Sequence, residues 1–346
     1  MAFRFPSGTN TFIPSWEATH TLIAYTRDPK KFRLSKYVEY KKTTKRDAFY
    51  LKLDPDQPAR IIDDSMFAWA PGADAPRGYN NIGNFQFTEF RCKKRAFPYS
   101  LPYEAVDQAE WGIQDQHAGL TLQQSMTLRT IRCATLLQTS SNWPSANAVD
   151  VNTLNGGRGK WNTASSDPAS GQFCAIKETV LAALEVIKLY TNSVVSQEEM
   201  CLVVSPGCAR RMAGTSEVHD YVKSPEGGAM LRGEEKVFGE WGLPNRLYNY
   251  PLIVEDAVKV TSNVNGTVVR GFCFNSANPV IVSKPGALAG QENGPSYSTV
   301  QIYFYREQEV QQKDDPDNER YQGRVVEDYS EQLAAGAAGM SMLNAL

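Results

Sequence analysis

The sequence predicts an α+β fold. Three observations carry that reading. A stretch of helical period runs from Tyr103 to about Thr139, a series of β-type segments begins beyond Gly242, and a long β-hairpin precedes both. The mixture of helices with largely antiparallel strands sets the class.

The first 47 residues have little periodicity and a marked charge bias. From Arg27 to Arg46 there are nine Lys or Arg against two acids, Asp28 and Glu39. Such a run reads as a solvated arm, or as an arm lying on acidic protein or nucleic acid. The hairpin follows, from near Ala48 to near Pro98. Its tip holds Pro71, Gly72, Pro76, Gly78, Asn80 and Asn81, all turn formers. In its second arm Glu89, Arg91, Lys93 and Arg95 share one face, and Phe90, Cys92 and Ala96 the other. Phe85 and Phe87 fall on the charged side, which predicts a bulge or strong twist near Thr88. A two-stranded ribbon of this length is marginal in water and must rest on something.

Beyond Pro102 a single helix is expected over Tyr103 to Thr139, with Val106, Ile113, His117, Leu120, Leu128 and Ile131 along one stripe. At 1.5 Å per residue it would reach roughly 50 Å. A polar stretch with turn signals, from Ser140 to Gly171, precedes a second helix, about Cys174 to Thr191, carrying Ile176, Val180, Leu184 and Ile187 on one face. A buried strand at Cys201 to Val204 and two short helices in "SPGCARRMAGTSEVHDYVKSPEGG" come next. "YPLIVEDAVKVTSNV" and "TVVRGFCFN" flank Asn265-Gly266, a strong hairpin-turn dipeptide. "STVQIYFYREQEV" alternates as a long strand. Arg306 to Glu331 holds nine acids against four bases, and a small-residue strand closes the chain.

The 346 residues allow about two domains, and a net charge of −2 gives no overall attraction to nucleic acid or anionic membrane. No apolar run of about 18 residues is present, so no membrane partner is expected. The N-terminus lacks the pattern of a secretion signal. Six dispersed cysteines without CxxC are expected as free thiols in a reducing compartment.

A search for chemistry returns little. His20, His117 and His219 are isolated, and no HExxH, CxxC or EF-hand spacing occurs. "NGGRGKWN" lacks the spacing of a phosphate loop and has Trp161 where Ser or Thr would bind magnesium. No GxSxG elbow exists. No catalytic residue, metal ligand or cofactor is expected.

The order of elements carries a resemblance. A basic arm, a long hairpin with "APG" (Ala70-Pro71-Gly72) and "APR" (Ala75-Pro76-Arg77) at its tip, a spine-length helix, "LVVSPGCARRMAGTSEVHDYVKSPEG", "VFGEWGLPNRLYNYPLIVEDAVKVTS" and "RVVEDYSEQLAAGAAGMSMLNAL" follow one another. Together they resemble the major capsid proteins of tailed bacteriophages, the Hong Kong 97-type fold, over nearly the whole chain. Gly339-Met340 stands where that family usually has Gly-Tyr.

The resemblance implies six segments. These are an N-terminal arm at 1–47, an extended loop at 48–100, and a peripheral domain with the spine helix at 101–192. An axial domain at 193–296, a return strand with the acidic segment at 297–330 and the C-terminal axial strand at 331–346 complete it. It implies a structural subunit that assembles into pentamers and hexamers of an icosahedral head around double-stranded DNA. Its extended loop would lie across a neighbour through Trp69, Pro71, Arg77, Tyr79, Phe85, Phe87 and Arg91. The arm residues Lys30, Lys31, Arg33, Lys36, Lys41, Lys42, Lys45 and Arg46 would meet the acidic segment between subunits, or line the inner wall against packaged DNA. The first is the preferred expectation.

Implied partners are the chain itself, a separate scaffolding protein (too few residues precede the hairpin for a fused one), a portal protein and decoration proteins. The place implied is the virion, assembled in bacterial host cytoplasm. The hairpin tip has no Lys, so covalent Lys–Asn cross-links are not expected there, although Lys52, Lys93 and Lys94 sit at its base. An encapsulin-type shell subunit and a soluble α+β enzyme are the alternatives.

Overall fold

The computed structural model describes residues 32–52, 86–109, 112–161, 176–223, 241–264, 267–286 and 296–346. The arm ends in β1 (Glu39–Lys42), and a ribbon follows, made of β2 (Asp47–Lys52) and β3 (Gln86–Arg91). Strand β4 (Lys93–Pro102) leads into helices α1 (Tyr103–Asp107) and α2 (Ile113–Gln138). Then come β5 (Ala148–Asp150), α3 (Val151–Leu154), α4 (Ile176–Tyr190), β6 (Met200–Val204), α5 (Pro206–Ala213) and α6 (Ser216–Lys223). The β-rich part holds β7 (Arg246–Leu247), β8 (Tyr250–Val254), β9 (Val258–Val264), β10 (Thr267–Phe272) and β11 (Val280–Ser283). Strands β12 (Val300–Asp315), β13 (Arg320–Leu333) and β14 (Met340–Leu343) close the chain.

A mixed six-stranded sheet, in the order β5-β14-β11-β6-β8-β7, forms the central wall. Every residue of β6 is buried. Met200, Leu202 and Val204 point into one core, and Cys201 and Val203 into the other. β11 divides the same way, with Ile281 on the first side and Val280 and Val282 on the second. A strand buried on both faces reads as an unbroken apolar run, as "MCLVV" does.

The first core is closed by α4, α5 and α6. Ile176, Val180, Ala183 and Ile187 of α4 are fully buried in it, with Leu184 half-buried beside them. The first two N–H groups of α4 donate to Glu217 of α6, at 2.8 and 2.7 Å, which satisfies donors no helix can pair internally. Ser205 caps α5 by accepting from the Cys208 N–H, and Pro206 takes the first turn, where no N–H is needed. Because α4 shares this core with elements beyond residue 193, a boundary at 192 runs through one packed body.

The second core lies between the wall, α2 and a four-stranded sheet of order β1-β12-β13-β4. β1 joins β12 in parallel, and β12, β13 and β4 run antiparallel. The acidic segment forms most of the long β12–β13 hairpin. Gly323 of β13 lets the Tyr99 ring of β4 lie flat on the sheet, since a Cβ there would fall 2.0 Å from it. Gly339 similarly admits the Ile281 carbonyl, which a Cβ would approach to 2.7 Å.

Several expectations need correction. The helix over 103–139 is two helices, and α2 alone, at 26 residues, spans about 39 Å. The break precedes Ile113 at Gly112, where the helix pattern had tolerated a glycine. The buried face of α2 is not the predicted apolar stripe. It carries Ile113, Thr121, Ser125, Arg129, Thr130, Cys133, Ala134 and Leu137, while Leu120, Leu128 and Ile131 are only half-buried. Thr121 and Thr130 donate to carbonyls four residues back, and Ser125 to one three back, which satisfies their hydroxyls without water.

The arm is also not wholly free. Leu34, Tyr37 and Val38 belong to the second core, and the Tyr37 hydroxyl donates to buried Glu255. "YPLIVEDAVKVTSNV" is two strands, β8 and β9, separated at Glu255–Ala257, and the closing strand is only β14. β9 and β10 pair antiparallel as expected, whereas the Asn265-Gly266 turn lies outside the described residues. Five of the six cysteines are buried free thiols, and Cys174 lies outside the described residues.

The strongest polar feature of the second core is an ion pair. Arg129 of α2 donates to Glu327 of β13 at 2.6 Å, with both side chains nearly dry. The guanidinium sits 4.7 Å from the Phe304 ring centroid and 5.3 Å from that of Tyr329. Burial lifts the Glu327 carboxyl above its ordinary range, against the pull of Arg129. A carboxyl raised on folding adds stability below its unfolded pKa and loses it as pH rises through the folded value, so protonating Glu327 does not itself unfold the strand.

Arg129→Met should leave Glu327 buried without its cation and cost the unassembled subunit about 3–5 kcal/mol in urea unfolding. The double variant Arg129→Met/Glu327→Met should recover most of that loss. A double variant as weak as the single one would show that packing rather than charge dominates the site.

Candidate assembly surfaces

The ribbon β2–β3 runs in regular register from Asp47↔Arg91 to Lys52↔Gln86. The bulge expected near Thr88 is absent. The irregularity falls instead at Cys92, where the chain leaves β2 and β4 begins its pairing with β13. Alternation then gives the ribbon two unlike faces. On the inner face Tyr50 and Phe90 pack with Tyr303 of β12, Cys92 and Ala334, and Phe90 stacks on Tyr303 at 4.3 Å. On the outer face Phe49 and Phe87 are each 67% exposed. Asp47 and Arg91 pair beside them at 3.4 Å.

Among the predicted loop residues, Phe87 and Arg91 thus share the outer face. Trp69, Pro71, Arg77, Tyr79 and Phe85 lie outside the described residues. Sequence reading missed Phe49, Tyr50 and Tyr303. The alternation in "DAFYLK" held the signal for the first two, but Tyr303 belongs to a strand some 250 residues away.

The arm's cations divide into clasped and free. Arg33 donates to the Val254 carbonyl at 2.8 Å and lies 3.9 Å from Asp256. Lys42 pairs with Glu307 at 3.1 Å, and Arg46 donates to Asp328 at 2.8 Å. The meeting of arm and acidic segment, expected between subunits, occurs for these two pairs within one chain. Lys41 sits 3.9 Å from Glu39, whereas Lys36 and Lys45 are exposed. Lys30 and Lys31 lie outside the described residues.

Other surfaces offer little chemistry. A groove of about 680 Å³ over β4, β12 and β13 is lined by Tyr99, Gln312, Lys313, Gln322 and Arg324, without a carboxylate or thiol. Among the described residues no group of three or more His, Cys, Asp or Glu could hold a metal ion. His117 is half-buried against the Tyr99 ring, and burial lowers its pKa, so it is a packed side chain. No described helix is long and apolar enough to cross a membrane.

No family model matches the chain, and no curated relative does. Solved structures do. A phage-related protein of Bordetella bronchiseptica RB50 superposes with a TM-score of 0.58 at 14% identity, covering 94% of this chain and 95% of that one. The mature capsid of bacteriophage PhiM1 gives 0.52 at 9% identity, covering 99% and 91%. The capsid of cyanophage P-SCSP1u gives 0.54 at 9% identity, covering 99% and 92%. With these superpositions spanning nearly the whole chain, the chain has the Hong Kong 97-type fold.

Proposed function

We propose that this chain is a major capsid protein that assembles into the pentamers and hexamers of an icosahedral phage head. The observation that carries the reading is the outer face of the ribbon. Tyr50 and Phe90 anchor its inner face at home, while Phe49 and Phe87 stay exposed on the opposite face. Two aromatics held rigidly in water on a ribbon are what a neighbouring subunit would cover.

On this reading the expected segments take names. The ribbon is the base of the extended loop, and Trp69, Pro71, Arg77, Tyr79 and Phe85 extend the contact made by Phe87 and Arg91. The four-stranded sheet with α2 is the peripheral domain. The six-stranded wall with α4, α5 and α6 is the axial domain. Lys36 and Lys45, exposed and without an ion pair among the described residues, are the arm cations left for packaged double-stranded DNA or a neighbour. A separate scaffolding protein, a portal protein and decoration proteins complete the set of partners, and the mature protein resides in the virion after assembly in host cytoplasm.

Electron microscopy of the purified protein should show closed shells, and absorbance at 260 nm should report enclosed nucleic acid. Protein that stays monomeric under every assembly condition would overturn the proposal. Shells filled with an enzyme cargo and free of nucleic acid would instead mark an encapsulin-type compartment.

Two further outcomes follow from the ribbon. Phe49→Ser/Phe87→Ser should change subunit stability by no more than about 0.5 kcal/mol, because both side chains face water in the monomer. The same variant should fail to close shells, and normal shells from it would remove the ribbon from the interface. Lys93 and Lys94 are exposed on β4, where no dry pocket would activate an amine. Mature particles boiled in denaturant should therefore release one band near 38.5 kDa. A ladder of multimers surviving reducing agent would show covalent cross-linking.

A further inference from the structure

A second solvent-open surface lies on the β9–β10 ribbon, where Phe272 also meets the Trp241 ring edge-on at 6.5 Å. Val258 faces Phe272 and Val260 faces Arg270 across the two strands, so these four side chains share one face, and all are exposed. Val268 follows on the same side of β10 and is 47% exposed. The ribbon carries no acid from Val258 to Phe272, and Arg270 stands among its valines with no ion pair among the described residues.

The complementary pattern occurs on α4. Leu181, Glu185 and Leu189 recur at four-residue steps along its outer face, opposite the side buried in the first core. Leu181 is 42% and Leu189 72% exposed, and Glu185 between them is exposed and has no ion pair among the described residues. Of the neighbouring charges on this helix, Glu178 is engaged by Arg158 at 3.6 Å. One surface is thus a cation among apolar residues, the other an anion between two leucines, with Lys177 and Lys188 along the edge of the same face. Both are open on the same subunit.

We infer that the β9–β10 ribbon of one subunit docks on α4 of the next copy, with Arg270 against Glu185. Val260 and Phe272 then cover Leu181 and Leu189. The contact is heterologous: the donating surface and the receiving surface are different patches, so repetition generates a ring when the rotation closes. That is the geometry a pentamer or hexamer requires, and the inference rests on the capsid reading proposed above. Burying one charged pair between apolar flanks sets the register of the contact, while area supplies most of its strength.

Charge exchange in the full-length chain tests it. Arg270→Glu and Glu185→Arg, each at an exposed position, should leave far-UV and near-UV spectra unchanged. Each alone should need about tenfold more subunit for half-maximal ring or shell formation, read by native mass spectrometry and sedimentation. The double variant should return to the wild-type value. Mixing the two single variants should also restore hexamers, because in an alternating ring every ribbon then meets a helix of opposite charge. Single variants that assemble like wild type, or a double variant no better than either, would overturn the inference while wild-type shells keep the capsid reading intact. Wild-type protein that forms no shell would overturn the capsid reading itself. A variant that misfolds is replaced by Val260→Ser, for which the inference predicts weaker assembly and unchanged assembly would contradict it.

Discussion

Three carboxylates on one strand must find three cations, and most of the second core is arranged around that demand. Glu327, Asp328 and Glu331 of β13 are nearly or wholly removed from water. Arg129 and Arg132 reach Glu327 and Glu331 from successive turns of α2, and Arg46 reaches Asp328 from the link between arm and ribbon. Each pair is a long-range contact that local propensity could not have produced. Together they fix the spine helix along the sheet on one side and hold the base of the ribbon on the other. A buried ion pair contributes little net stability against an apolar substitute, but breaking one is costly. Its consequence here is geometric: the helix cannot slide by a turn, nor the ribbon swing, without stranding a buried charge.

The central wall serves a matching purpose by packing. Because β6 and β11 send alternate side chains into opposite cores, the helices α4, α5 and α6 and the α2 sheet are built on the two faces of one surface. A shift of one residue in either strand would exchange the two cores outright, so register is strongly specified. Close approaches at Gly323 and Gly339 reinforce this, since each lets a neighbouring ring or carbonyl into space that a Cβ would fill.

Much of this was legible in the sequence where the physics is local. The apolar run at β6, the period of α4 and the pairing of β9 with β10 each follow from a few adjacent residues. The spine helix was harder, because its buried face is written in Thr121, Ser125, Arg129 and Thr130. Those residues look like a solvated stripe until the fold is known: Ser125 and Arg129 meet partners about 200 residues away on β12 and β13, and the two threonines turn their hydroxyls to carbonyls of their own helix. The same distance hid the charge logic of the arm. Counting nine cations against two acids identified its bias, but only the fold shows that Arg33, Lys42 and Arg46 are used within the chain. The expected bulge near Thr88 had no cause, because Phe87 shares its face with Glu89 and Arg91 in regular register, and pairing changes partner only at Cys92.

Once those cations are consumed internally, the exposed surfaces have a different character from the one the composition suggests. Beside exposed lysines such as Lys36 and Lys45, three open patches are aromatic or aliphatic with isolated charges: Phe49 and Phe87 beside the Asp47–Arg91 pair, the valines around Arg270, the leucines around Glu185. On the capsid reading this distribution has a physical purpose. A shell built from many copies closes correctly only if each contact is weak enough to be broken and remade during assembly, while simultaneous engagement of several contacts makes the finished shell durable. Small apolar patches supply that modest attraction without direction, and a lone charge in each supplies register by making the wrong alignment unfavourable. Strong ion pairs between subunits would defeat the first requirement. Their place is inside the subunit, where β13 already keeps them and where rigidity, rather than reversibility, is what the ribbon and the spine helix need.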